Sequence, residues 1–211
     1  MFDCIVSLIT PPIKGAISVI RISGDNTLNI VSNFFFKKID KPNYVYHGYI
    51  IDSENNEKVD EVLLTYFKGP KSFTGEDVVE ISCHGSMIIA NQIIALCLKF
   101  GARIAERGEF SSRAFYNGKI DLVQAEAINS LINAETLQAK RLQMFSLSGE
   151  TSKLLAPIET SLADILSLIE VNIDYPEYQD IEEMTNEKLL HDIDLIISQI
   201  NHLINDSAKS K

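Results

Sequence analysis

The chain has 211 residues, 45% of them hydrophobic and 23% charged, with a net charge of −10. That balance excludes an intrinsically disordered chain, and the apolar runs fall short of a membrane span. Cys4, Cys83 and Cys97 are odd in number, widely spaced and without a CxxC pair, which favours free thiols in a reducing cytoplasm over a disulfide framework or zinc site.

In chain order, residues 3–9 and 17–22 read as short buried strands, separated by the breakers Pro11-Pro12 and Gly15. Ser23-Gly24-Asp25-Asn26 carries helix-start signals, and Leu28, Ile30, Val31 and the phenylalanines 34 to 36 continue the pattern. Residues 44–52 and 59–68 predict a hairpin, and 77–83 a further strand. Ser86 to Phe100 predicts an apolar helix with Gly101 past its end, and Arg103-Ile104 opens a last short strand. The polar segment Ala105 to Leu122 reads as a loop dense in binding groups. Beyond it the period changes to that of helices, over Leu122–Ile132, 148–171 and 185–204. Asp174-Tyr175-Pro176 ends the second of these. On the third, Leu189, Ile193, Ile196, Ile200 and Leu203 form a stripe that needs an apolar partner. The stripe either packs on the two earlier helices or marks the chain as part of a longer protein.

Charge is unevenly placed. Residues 1–122 carry 13 basic and 14 acidic side chains, whereas residues 123–211 carry 6 and 15. The second half is therefore a poor docking surface for phosphate backbones.

Two charges sit inside runs that should be apolar. Arg21 shares a strand face with Ile17 and Val19, and Glu80 shares one with Val78 and Ser82. Buried charges need partners, so the pair either neutralise each other or line a polar pocket. In a pocket, Glu80 would accept hydrogen bonds from an amidine-like edge and Arg21 would meet an anion or carbonyl. Lys119, after the Asn117-Gly118 turn, is a further candidate cation or an ordinary surface lysine. His84 lacks a second ligand at metal spacing. The carboxylates of Thr74-Gly75-Glu76-Asp77 read as a solvated turn or cap. No GxxxxGK[ST] phosphate loop and no nucleophile–histidine arrangement is present.

These segments resemble the N-terminal part of the bacterial tRNA-modification GTPases of the MnmE/TrmE family. The matching strings include Thr10-Pro11-Pro12, Val19-Ile20-Arg21-Ile22-Ser23-Gly24 and Ser72-Phe73-Thr74-Gly75-Glu76-Asp77-Val78-Val79-Glu80. Gly108-Glu109-Phe110-Ser111, Arg113-Ala114-Phe115 and Asn117-Gly118-Lys119-Ile120-Asp121-Leu122 follow, and Ile173-Asp174-Tyr175-Pro176 is similar to a string of the family's helical domain. The resemblance implies an α+β domain over 1–118, with a mixed sheet and helices like the tetrahydrofolate-binding domain of aminomethyltransferases. It implies an all-α helical region over 119–211 that is the first half of a helical domain. It further implies a homodimer through the N-terminal domain and a bound tetrahydrofolate derivative, in 5-formyl or methylene form. Arg21, Glu80 and Lys119 match the family's folate contacts. The family's GTPase domain, with its GTP, Mg and K, would lie outside this chain, which would not be catalytic alone. The whole protein would work in the cytoplasm, away from membranes, with an FAD-dependent partner, building a carboxymethylaminomethyl-type group on the wobble uridine of tRNA. Departures fall at Ile13 and Ala16, where the family has a glycine-rich segment, and at Ser86 after His84-Gly85. Two other readings stay open: a stand-alone folate-dependent one-carbon transferase, and a purely structural dimerisation scaffold.

Overall fold

The computed structural model describes residues 3–175 and 185–209, with side chains to residue 205. These form an α+β unit and a helical unit that divide at Ala125–Glu126.

The first unit is built on one six-stranded sheet in the order β3-β4-β5-β2-β1-β6. Its strands are β1 (Ile5–Leu8), β2 (Ile17–Ser23), β3 (Val45–Asp52), β4 (Glu57–Phe67), β5 (Val78–His84) and β6 (Arg103–Ile104). Neighbours are antiparallel except β1 and β6, which run parallel through Ile5↔Arg103 and Val6↔Ile104. The period-two alternation of the strands divides the sheet into two unlike faces. One face presents Val6, Ile20, Ile22, Ile50, Leu64, Val79 and Ile81 to the core, all buried. Against it lie α1 (Thr27–Ser32), the following Phe34 and Phe35, and α2 (Met87–Lys99) through Ala90, Ile93, Leu96 and Cys97. Burying twelve large side chains such as these, at roughly 2 kcal/mol each, is the main favourable term for the unit.

The opposite face carries Val45, Tyr49, Leu63, Thr65, Glu80, Ser82, Val19 and Arg21. Val45, Tyr49 and Leu63 are 53%, 41% and 47% exposed there, so this face lacks the cover its partner face has. The predicted strands, hairpin and α2 are all present.

Two helices were not anticipated. α3 (Glu109–Tyr116) occupies the segment read as a loop, and α5 (Leu137–Leu147) was not foreseen at all. α5 buries no residue and has a weak apolar pattern, so it lacked a periodic signal. Its one local mark is Thr136, whose hydroxyl accepts from the Ala139 N–H as an N-cap.

The helical unit contains α5, α6 (Glu150–Asp174) and α7 (Asn186–Lys209), while α4 (Leu122–Ile132) spans the division between units. Pro157 is the eighth residue of α6, inside the helix, where its ring removes the N–H that would have bonded the Lys153 carbonyl. α6 ends at Asp174, and Pro176 of the predicted stop lies outside the described residues. α7 packs on α6, burying Ile196 but leaving Leu190, Ile197 and Ile204 exposed.

Candidate functional site

A single row of side chains crosses the open face of the sheet through the register Ser7↔Arg21↔Glu80↔Thr65↔Val45. Arg21 and Glu80 are directly opposed in this row, where cross-strand side chains stand close enough to bond. The Arg21 Nε and Nη2 donate to Glu80 Oε1 at 2.9 and 2.7 Å. Both bonds converge on one oxygen. Glu80 Oε2 accepts from no donor among the described residues. The two side chains keep 19% and 27% of their surface exposed, so the pair is formed but not sealed.

Aromatic rings flank this pair. The Arg21 guanidinium lies 5.1 Å from the Phe73 ring centroid and 5.5 Å from that of Phe110. Phe73 comes from the loop between β4 and β5, and Phe110 from the first turn of α3. A planar cation beside two rings leaves a surface suited to a flat heterocycle. Sequence reasoning did not pick out either phenylalanine; only their place in the Ser72–Glu80 and Gly108–Ser111 strings pointed to them.

Lys119 is not in contact with Arg21 or Glu80. Its Nζ donates to the Pro70 carbonyl at 2.9 Å, and its backbone N–H to Ala114 at 2.8 Å. It thus lies on the outer side of the same 69–77 loop that carries Phe73. Asn117 Nδ2 donates to Thr74 O at 2.7 Å and fastens the two segments together.

Behind this surface lies a charge cluster that the sequence reading did not expect. Glu76, read as part of a solvated turn, is 7% exposed, and Arg113 is 4% exposed. Arg113 Nη1 donates to Glu76 Oε1 at 3.0 Å and to the Asp3 carbonyl at 2.8 Å; Nη2 donates to Asp3 Oδ1 at 2.7 Å and Glu109 Oε1 at 3.0 Å. Glu76 also accepts from the Ser23 hydroxyl at 2.6 Å, two residues beyond Arg21. Arg103 adds a second guanidinium, bonded to Asp3 and Glu109. No buried side-chain polar atom among the described residues is left without a partner. The cluster ties the segment before β1, the 69–77 loop and α3 into one piece, which brings Phe73 and Phe110 to Arg21. Two signals could have revealed it: the i,i+4 spacing of Glu109 and Arg113, and the surplus of carboxylates near the Thr74-Gly75 turn.

The electrostatics follow the contacts. Hydrogen bonding from Arg103, opposed by burial and helped by the Glu106 N–H and Arg113, holds the Glu109 carboxyl down to about 2. Arg103 likewise lowers Asp3. Burial, with a smaller contribution from Asp77, pushes the Tyr66 phenol up to about 12.

His84 donates or accepts through Nδ1 at 2.7 Å from Asp60, whose other oxygen takes the His84 backbone N–H at 2.8 Å. This ties the imidazole at the end of β5 to the neighbouring strand β4. Among the described residues no group of three or more His, Cys, Asp or Glu could hold a metal ion, and no helix is long and apolar enough to cross a membrane.

Comparison with known proteins gives a consistent result across the chain. Residues 4–119 match the family model described as GTP-binding protein TrmE N-terminus, and residues 122–211 match that of the MnmE helical domain. Proteins named tRNA modification GTPase MnmE from Lactiplantibacillus plantarum and Enterococcus faecalis are 43% and 42% identical over the whole chain. One from Geobacillus kaustophilus is also 42% identical over the whole chain. The match covers 46% of the first two relatives and 47% of the third, so the chain spans about half the length of the curated relatives it matches.

Proposed function

The chain belongs to the MnmE (TrmE) family of tRNA-modification GTPases, and we propose that it binds a 5-formyltetrahydrofolate-type one-carbon donor and dimerises. One observation carries this reading. Arg21 spends both its bonds on Glu80 Oε1, leaving Oε2 open on an aromatic-flanked, partly exposed surface. A pterin presents a 2-amino group and a ring N–H to a carboxylate. Glu80 accepts from that edge through Oε2, and Arg21 holds the carboxylate in place beside the ring. Phe73 and Phe110 exclude water from the faces of the heterocycle, and Lys119 meets the carboxylates of the glutamyl end. The folate, when bound, supplies a one-carbon unit. The residues here hold and orient it.

Dimerisation rests on the open sheet face. Val45 and Tyr49 of β3 and Leu63 of the neighbouring β4 lie together there, too exposed for an isolated monomer to leave without cost. A second copy of this face is the proposed cover.

The wider reading concerns the whole protein: GTP hydrolysis with Mg and K outside this chain, an FAD-dependent partner, and carboxymethylaminomethyl-type modification of wobble uridine in tRNA, in the cytoplasm. The name that the matched relatives share supports its GTPase and tRNA-modification parts.

Calorimetric titration with 5-formyltetrahydrofolate tests the site. The wild-type chain should bind, and Glu80→Gln should lose about 1.5–3 kcal/mol, the worth of a hydrogen bond to a charged group. Equal affinity in both proteins rejects the assignment of Glu80. No binding by the wild type leaves the scaffold reading, in which Arg21 and Glu80 only neutralise each other.

A further inference from the structure

Three lysines converge on one turn at the edge of the candidate site. Lys68-Gly69-Pro70-Lys71 is closed by the Lys71 N–H donating to the Lys68 carbonyl at 3.0 Å. Such a turn holds its first and fourth Cα atoms within about 7 Å. Lys119 reaches the same turn, with Nζ on the Pro70 carbonyl at 2.9 Å. All three side chains are exposed, and none has a carboxylate within ion-pair distance among the described residues.

The acidic residues nearest in sequence are already engaged. Glu76 is taken by Arg113 and Ser23. Asp77 accepts from the Tyr66 hydroxyl at 3.0 Å and the Gly69 N–H at 2.9 Å. The turn therefore presents positive charge that no neighbouring carboxylate neutralises. Its position is also specific. Phe73, two residues beyond Lys71, lies against Arg21, so the loop runs from the ring-binding surface directly to the cations.

We propose that the Lys68–Lys71 turn, with Lys119, is a cationic rim for the tail of a polyglutamylated folate, making the poly-γ-glutamyl form the preferred ligand. This rests on the folate reading above. A γ-linked tail adds one α-carboxylate per residue, so each added glutamate brings one more negative charge to the rim. Nucleic acid is the other polyanion to consider. It fits less well, because residues 1–122 carry slightly more acid than base and give a long phosphate backbone no extended basic track.

The test titrates the full chain with mono-, tri- and pentaglutamyl 5-formyltetrahydrofolate, in low and physiological salt, beside Lys68→Ala/Lys71→Ala. Exposed charge pairs are individually weak and screened, so the tail should improve affinity about fivefold to twentyfold at low salt and less at physiological salt. In the double variant that gain should vanish while monoglutamyl affinity stays unchanged. Binding of the monoglutamate with no improvement from the tail overturns the proposal and leaves the folate reading standing. So does a gain that survives in the double variant. If no folate form binds, the folate reading itself falls and the rim falls with it. A pterin-free tRNA that binds the wild type but not the double variant, with the tail giving no gain, would assign the lysines to nucleic acid instead.

Discussion

Arg113 places a guanidinium that is 4% exposed among the carboxylates of Asp3, Glu76 and Glu109. Removing one partner of a buried pair is far worse than removing both, because the survivor keeps its desolvation cost without compensation. Arg113→Met should therefore destabilise the N-terminal unit by about 3–5 kcal/mol in urea unfolding. Adding Glu76→Gln to it should recover a substantial part. A double variant no more stable than the single would show that the pair is not what holds α3 down. Glu109 makes a second, pH-dependent contribution. Its folded pKa of about 2 lies below the ordinary 4.5, so its stabilisation is complete above pH 4.5 and is lost as the pH falls towards 2. Acid titration of the wild type should show stability declining across that window, and Glu109→Gln should flatten the decline. Burial and the nearby Asp60 push the Cys83 thiol up to about 11, and burial pushes Cys97 up to about 12. With Cys4 also buried, a thiol reagent at pH 8 should react slowly with the native chain and rapidly with three thiols after unfolding. At this scale the sequence was half legible. Arg21 and Glu80 betrayed themselves by interrupting apolar strands. Glu76 and Arg113 did not, because one sat beside turn residues and the other in a polar segment, and their burial depends on segments far apart in the chain.

At the scale of elements, the sheet was readable because period-two alternation and turn residues mark each strand locally. The α3 helix was not, since eight residues, half of them polar, are too short a window for periodicity to decide. Its stability comes from Arg113 bonding outward to Asp3, just before β1, and to the β4–β5 loop rather than from an apolar stripe. The open sheet face escaped notice for a related reason: alternation says that a strand has two faces, not whether both are covered. One backbone approach is tight enough to test directly. Gly85 N–H donates to the Ala16 carbonyl, its own carbonyl accepts from Gly15, and a Cβ there would stand 2.2 Å from Gly15 O. Gly85→Ala must displace the 13–16 segment that leads into β2. The expected outcome is a loss of roughly 1–3 kcal/mol in unfolding free energy, the range for forced overpacking. A neutral result would mean that segment moves at no cost.

Across the whole molecule, the two units differ in both chemistry and charge. The first half of the sequence is nearly neutral and holds the paired guanidinium groups, whereas residues 123–211 carry 15 acidic against 6 basic side chains. Self-association should therefore run through the first unit. Sedimentation should show a dimer at micromolar concentration that resists salt, as an apolar contact would, and Leu63→Lys on the open face should shift it to monomer. A dimer untouched by that change would place the contact elsewhere.

The bond between Asp3 and Arg113 joins residues 110 positions apart, and the outer edge of β1 is completed only by β6. During synthesis β1 can fold back on β2 at once, yet its other edge stays vacant until the chain has grown to Arg103, 80 residues beyond the end of β2 at Ser23. A nascent chain stalled before that point would display an unsatisfied strand edge, open to pairing with a neighbouring chain on the same polysome.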